Sequence, residues 1–180
     1  MEMNFKNKNE SGYDYIYEFK EGLACVCKDH KYGYINENNE LVIQIIYDDA
    51  GSFAEGFASV RINGQLLFID KMGKEVLCLN YDDAWNFNEG RSRVKSENKF
   101  GFIDKNGQVV IPIIYDFAEC FNEGLALVKK ERYGFIDKQG DIQIDFDFDF
   151  ACSFNRNFAF VRKALNNFYI NKQGKIFKVG

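Results

Sequence analysis

The chain has 180 residues, 46% hydrophobic and 17% aromatic, with 19 Phe, 10 Tyr and one proline, Pro112. That balance supplies a buried core and makes disorder a poor reading, the net charge of −4 is unremarkable, and a pI near 5.2 counts against a dedicated nucleic-acid binder, which is usually basic. The opening Met1-Glu2-Met3-Asn4-Phe5-Lys6 lacks the apolar stretch of a secretory signal, no run reaches the roughly 18 apolar residues of a membrane span, and the five cysteines are an odd number, so the expectation is a cytoplasmic protein with reduced thiols and no membrane partner.

After a tail, residues 1–12, the chain repeats itself. Tyr13, Tyr47, Tyr81, Tyr115 and Phe148 stand 34, 34, 34 and 33 residues apart, each followed by Asp. Phe19, Phe53, Phe87, Phe121 and Phe154 follow six residues behind, and Glu-Gly comes next in four copies, with Arg156-Asn157 in the fifth. Five repeats result, at 13–46, 47–80, 81–114, 115–147 and 148–180. A fixed period of this size marks an array in which each unit buries its apolar face only against its neighbours.

Within a repeat the apolar period is two. Leu125-Ala126-Leu127-Val128 reads as a strand, Lys129 to Arg132 as a turn, Tyr133-Gly134-Phe135-Ile136 as a second strand, Asp-Lys-Gln-Gly as a second turn and Ile142 to Ile144 as a third strand. The repeat is therefore expected to be a three-stranded antiparallel meander, with helix limited to a single turn in the Tyr-Asp-x-Ala connector. Two sites hold only Gly or Asn: Asn39, Gly73, Gly107, Gly140 and Gly174, and Gly22, Gly56, Gly90, Gly124 and Asn157. Both are expected at positive φ. A third glycine, Gly33, Gly101 and Gly134, gives way to Leu67 and Phe168, so it is read as lying within a strand where a neighbouring chain comes close. The architecture expected is an all-β open superhelical array of five such units, with a closed five-bladed ring as the alternative.

The run from Phe100 to Ala118, Phe-Gly-Phe-Ile-Asp-Lys-Asn-Gly-Gln-Val-Val-Ile-Pro-Ile-Ile-Tyr-Asp-Phe-Ala, followed by Phe121 to Val128, resembles the bacterial WG-repeat family. The likeness extends from Tyr13 to Gly180. The family's tryptophan is replaced by Tyr32, Leu66, Phe100, Tyr133 and Asn167, and its proline survives as Pro112. The resemblance implies a β-repeat scaffold of bacterial or phage origin serving as an interaction module, and it brings no catalytic residues.

The residues themselves point the same way. His30 is the single histidine, and Cys25-x-Cys27-x2-His30 has the donor types of a zinc site; Cys27 shares its register with Arg61, Lys95, Lys129 and Arg162, an exposed hairpin position, so no metal or cofactor is expected. The recurrent Asp14, Asp48, Asp82, Asp116 and Asp149 read as acceptors for backbone donors rather than as an acid–base pair. With no nucleophile or cofactor motif, the chain is read as a non-enzyme. Charge separates by register: the first hairpins total +9 and the connectors −11, a basic and an acidic stripe able to steer a partner.

The expected contact surface centres on Trp85, the one tryptophan, with Arg91, Arg93, Lys95 and Lys99, because Trp and Arg dominate interface hot spots; Lys129, Lys130 and Arg132 extend the basic stripe. The function expected is a non-catalytic protein-interaction module, in its most specific form a phage- or mobile-element-borne inhibitor of a host defence nuclease. The alternative is a polyanion or nucleic-acid binder using the basic hairpins.

Overall fold

The period-two pattern emerges as twenty strands and no helix over residues 12–178, the part of the chain that the computed structural model describes. Residues 1–11, nearly all of the expected tail, lie outside the described residues. The first sheet is β1 (Tyr15–Ile16), β2 (Leu23–Lys28), β3 (Lys31–Asn36) and β4 (Leu41–Tyr47). The second is β5 (Asp49–Ala50), β6 (Phe57–Ile62), β7 (Gln65–Asp70) and β8 (Glu75–Leu79). The third is β9 (Asp83–Ala84), β10 (Ser92–Ser96), β11 (Lys99–Ile103) and β12 (Val109–Tyr115). The fourth is β13 (Phe117–Ala118), β14 (Ala126–Lys129), β15 (Tyr133–Ile136) and β16 (Ile142–Phe148), and the fifth is β17 (Phe150–Ala151), β18 (Phe158–Lys163), β19 (Asn166–Asn171) and β20 (Ile176–Lys178). In every sheet the strands stand side by side in chain order.

The three long strands are the expected meander; the fourth was not expected. Two connector residues pair with the first long strand, as in Tyr15↔Cys27 and Ile16↔Val26 or Phe117↔Lys129 and Ala118↔Val128. A helical turn there would have left that strand's outer N–H and C=O groups bare, and an extended connector satisfies them.

The chain divides into two compact units, Met1–Asn86 and Phe87–Gly180, and the same packing rule operates within each. In the first, the large side chains Leu23, Tyr34, Ile43 and Tyr47 of one sheet meet Phe53, Ala58, Val60 and Ile69 of the next. In the second, Phe102, Ile111 and Tyr115 meet Phe121, Ala126, Val128 and Ile136, while Leu125, Leu127, Phe135 and Ile144 meet Phe154, Ala159, Val161 and Ile170. A bulky face thus lies on a face of smaller residues, an arrangement that lets the two sheets pack closely. The period-setting phenylalanines are the keys: Tyr34–Phe53, Phe102–Phe121 and Phe135–Phe154 each bring ring centroids to 4.9 Å, tilted or edge-to-face as aromatic quadrupoles favour.

The Glu-Gly pairs close two-residue hairpins in which both central residues have positive φ, for example Glu55 at 53° with Gly56 at 90° and Glu123 at 55° with Gly124 at 89°, as an I′-like turn requires. The turn's exposed N–H groups then receive the carboxylate one repeat earlier. Glu55 and Gly56 donate to Glu21 at 2.7 and 3.0 Å, Gly124 donates to Glu89 at 3.0 Å, and Asn157 donates to Glu123 at 2.9 Å. A lysine from the second turn completes each site: Lys71–Glu21 at 3.2 Å, Lys138–Glu89 at 3.2 Å and Lys172–Glu123 at 3.1 Å.

At Glu21 and Glu123 these bonds favour the ionised carboxylate. The Asn157 N–H and Lys172 keep Glu123 below its ordinary 4.5; at Glu21 burial pushes upward, but Lys71 and the two N–H groups outweigh it. Because folding favours the charged form, the stabilisation is complete above the ordinary carboxylate range and is lost as pH falls through the depressed folded values. Thermal midpoints are expected to drop below about pH 5, and Glu123→Gln is expected to lower the neutral-pH midpoint and flatten that dependence; an unchanged profile would remove this carboxylate from the account.

The in-strand glycines behave as expected, for a reason visible in the register. A Cβ on Gly33 would lie 2.6 Å from the Ile43 carbonyl oxygen, on Gly101 2.7 Å from that of Ile111, and on Gly134 2.8 Å from that of Ile144. In those three sheets the outer strand is bulged: Tyr32↔Tyr47 is followed by Tyr34↔Ile43, Phe100↔Tyr115 by Phe102↔Ile111, and Tyr133↔Phe148 by Phe135↔Ile144. Two extra residues loop inward over the glycine. Where Leu67 stands instead, Leu66↔Leu79 and Phe68↔Leu77 pair without that bulge, so Leu79 fills the buried place held elsewhere by Tyr47, Tyr115 and Phe148.

Candidate interaction surface

The shared register of Cys27, Arg61, Lys95, Lys129 and Arg162 lies between the connector strand and the second long strand. Lys129 pairs with Phe117 on one side and Tyr133 on the other, Lys95 pairs with Phe100, and Arg162 pairs with Phe150. In the second unit these aromatic neighbours join into a ladder: Phe100–Phe117 at 6.4 Å, Phe117–Tyr133 at 6.0 Å, Tyr133–Phe150 at 6.3 Å and Phe150–Phe160 at 6.3 Å. The rings are partly exposed and carry cations: Arg93 and Lys95 on Phe100 at 5.6 and 5.9 Å, Lys129 on Tyr133 at 5.2 Å, and Arg162 on Phe150 at 5.7 Å. Cross-strand cation–π pairs of this kind hold both partners in place.

The structure therefore brings Arg93, Lys95 and Lys129 onto one feature and gives Arg91, Lys99, Lys130 and Arg132 other partners. Arg91 donates twice to the Lys138 carbonyl, at 3.2 and 3.1 Å, and so joins third and fourth repeats. Lys99 pairs with Asp116. Lys130 sits on Tyr115 and Phe146 at 5.6 and 5.5 Å. Arg132 donates to the Asp147 carbonyl at 3.1 Å and lies 3.6 Å from the Asp149 carboxylate. Trp85 is half-buried and immediately follows β9 in the first unit.

The ladder rings at Phe117 and Phe150 were not singled out from the sequence. Their signal is a register that holds Tyr15, Asp49, Asp83, Phe117 and Phe150, aromatic on both sides of the basic position only in the later repeats.

The remaining groups have structural places. Asp14 accepts from the Asp29 N–H at 2.8 Å, Asp48 from Asn63 at 2.7 Å and Asp149 from Ala164 at 2.6 Å, the backbone-acceptor role expected of them. Burial pushes the Cys25 thiol up to about 12, where it is no nucleophile near neutral pH. His30 occupies a hairpin turn at φ 61°.

No curated protein matches this chain significantly. Among solved structures, Hsv2 of Kluyveromyces lactis aligns at 12% identity and a TM-score of 0.56 over 92% of this chain and 63% of its own. A form of that protein with loop 6CD replaced by a Gly-Ser linker gives 12% identity and 0.57 over 92% and 67%. The extracellular domain of the one-component system BT4673 of B. thetaiotaomicron gives 14% and 0.53 over 91% and 28%. The chain thus spans about 63% of the length of Hsv2. At such identities the likeness is one of fold, the four-stranded β-sheet repeat of propeller-type proteins. A family model described as WG containing repeat matches residues 11–32, 32–65, 68–100, 100–132 and 133–164, and the chain belongs to that family.

Proposed function

We propose that the chain is a non-catalytic protein-interaction module whose contact surface is the cation-bearing aromatic ladder of Phe100, Phe117, Tyr133 and Phe150 with Arg93, Lys95, Lys129 and Arg162. The ladder itself carries this reading. Its rings stand on paired strands and its cations lie against them, so little side-chain entropy remains to be lost on binding, and Tyr, Phe and Arg are the residues that anchor protein interfaces. Affinity purification from the native host is the test. Phe117→Ala with Arg93→Glu is expected to abolish recovery of the partner, since anchors of this type are each worth about 2 kcal/mol or more. Retention at wild-type level sinks the proposed surface, and loss on Trp85→Ala alone would move it to the first unit.

A narrower form of the reading is an inhibitor of a host defence nuclease, supported by acidity and the lack of a reaction motif; adding the purified protein to such a nuclease is its direct check. The nucleic-acid alternative is less well supported, because Arg132 faces the carboxylates of Asp147 and Asp149 and Lys99 that of Asp116. It predicts salt-sensitive binding of a single-stranded oligonucleotide that weakens as Lys129, Lys130 and Arg132 are neutralised.

A further inference from the structure

Each interface between successive repeats described within a unit uses the same complementary parts, and the first and fifth repeats each hold one unmatched half. The ring of Phe53, Phe121 or Phe154 enters the sheet before it and meets Tyr34, Phe102 or Phe135, and all six are at most 2% exposed. At the same register the first repeat has Phe19, 38% exposed, and the fifth has Tyr169, 46% exposed. Around Tyr169, Phe158 is 44% and Phe177 39% exposed, although their counterparts Leu23, Leu125, Ile43 and Ile144 are buried. In the first sheet the small-residue face, Ala24, Val26 and Ile35, is already fully buried under Tyr13, Ile16 and Ile45, so the first repeat offers Phe19 beside the half-buried Tyr13 and Ile16.

The ionic parts are also left over, with their signs exchanged. Between repeats, Glu21, Glu89 and Glu123 pair with Lys71, Lys138 and Lys172. The fifth repeat has Arg156 at the glutamate register, and the first has Glu37 at the lysine register; both are exposed. Either change alone would set like charges against each other at a repeat junction. Together they form an ion pair of reversed polarity.

We infer that the chain associates head to tail with a second copy, the aromatic face of the fifth sheet receiving the first repeat of the next molecule, with Phe19 against Tyr169 and Glu37 against Arg156. A symmetric pairing of two fifth sheets is disfavoured by charge, since after Asp149 the sequence holds six Lys and Arg and no Asp or Glu. A contact between unlike surfaces leaves a free head and a free tail, so assembly continues until a ring closes or a filament grows. This inference does not rest on the aromatic-ladder reading, although the two surfaces adjoin at Phe160, 6.3 Å from Phe150 and 5.7 Å from Tyr169.

Sedimentation velocity of the full chain, with variants at exposed positions, tests it. The wild type should gain mass with concentration, whereas Phe19→Asp and Tyr169→Asp should each sediment as a monomer. Mixed in equal amounts, the two variants should form a complex of two chains and nothing larger, because the mixture contains one compatible head and tail. Arg156→Glu and Glu37→Lys should each weaken association roughly tenfold, and the double variant should regain it by restoring the polarity found between repeats. A wild type that stays monomeric overturns the inference. So does association lost in Tyr169→Asp but intact in Phe19→Asp, which is the mark of a symmetric or foreign contact. Circular dichroism of every variant guards against misfolding, and a variant with an altered spectrum is replaced by Phe19→Ser or Tyr169→Ser.

Discussion

Phe135→Ala is expected to cost about 3–5 kcal/mol, the range for deleting a buried aromatic ring. Phe135 is fully buried and Phe154, its partner at 4.9 Å, is 1% exposed, so truncation empties the middle of the cluster that joins the fourth and fifth sheets. In a repeat array stability is shared between units and the interfaces that couple them. The loss is therefore expected to fall on residues 148–178 first, visible as early hydrogen exchange of β18 and β19 while the first unit keeps its protection. Tyr169→Ala makes nearly the same chemical change at the same register in the next repeat, but at a 46% exposed ring, and is expected to cost well under about 1 kcal/mol in the isolated chain. Equal costs for the two variants would show that burial at this register does not control stability.

The contrast between those two residues marks how far the sequence could be read. Period-two alternation and a spacing of 34 sufficed for the strands and repeats, because both follow from local geometry that every copy repeats. Positive φ at Gly22 and Asn39 was legible for the same reason: copies exchanged Gly only for Asn. The two-residue strands such as Asp49–Ala50 were not, since so short a segment has no period and is extended only because a neighbouring strand needs a partner. The ladder of Phe100, Phe117, Tyr133 and Phe150 was hidden because its rings alternate between two strands and between repeats. The Glu123–Lys172 contact joins residues 49 apart, and no single repeat contains it. The basic stripe was visible as charge, but its attachment to aromatic rings depends on cross-strand pairing.

Gly134→Leu is expected either to destabilise the protein by about 1–3 kcal/mol, the usual cost of overpacking, or to drive a defined change of register. An added Cβ would lie 2.8 Å from the Ile144 carbonyl oxygen and 3.1 Å from the Asp145 carbonyl carbon, and backbone atoms held in a sheet do not swing aside as a side chain does. The second repeat carries the solution to this clash. With Leu67 at the corresponding position, the outer strand lacks the inward bulge and Leu79, two residues before Tyr81, occupies the buried aromatic site. A slide of two residues preserves which side chains face the core, whereas a slide of one would invert them. In Gly134→Leu the equivalent move places Phe146 where Phe148 now lies and passes Asp147 and Phe148 to the connector. Cross-strand nuclear Overhauser contacts separate the outcomes: Tyr133 opposite Phe148 with reduced stability, or Tyr133 opposite Phe146 with stability largely kept. Wild-type register together with wild-type stability would refute the link between this glycine and the bulge. The slide would also move Asp147 away from Arg132 and Lys163, which it now engages, so one substitution in a strand interior is expected to redraw the charge pattern on the exposed edge of the fourth repeat.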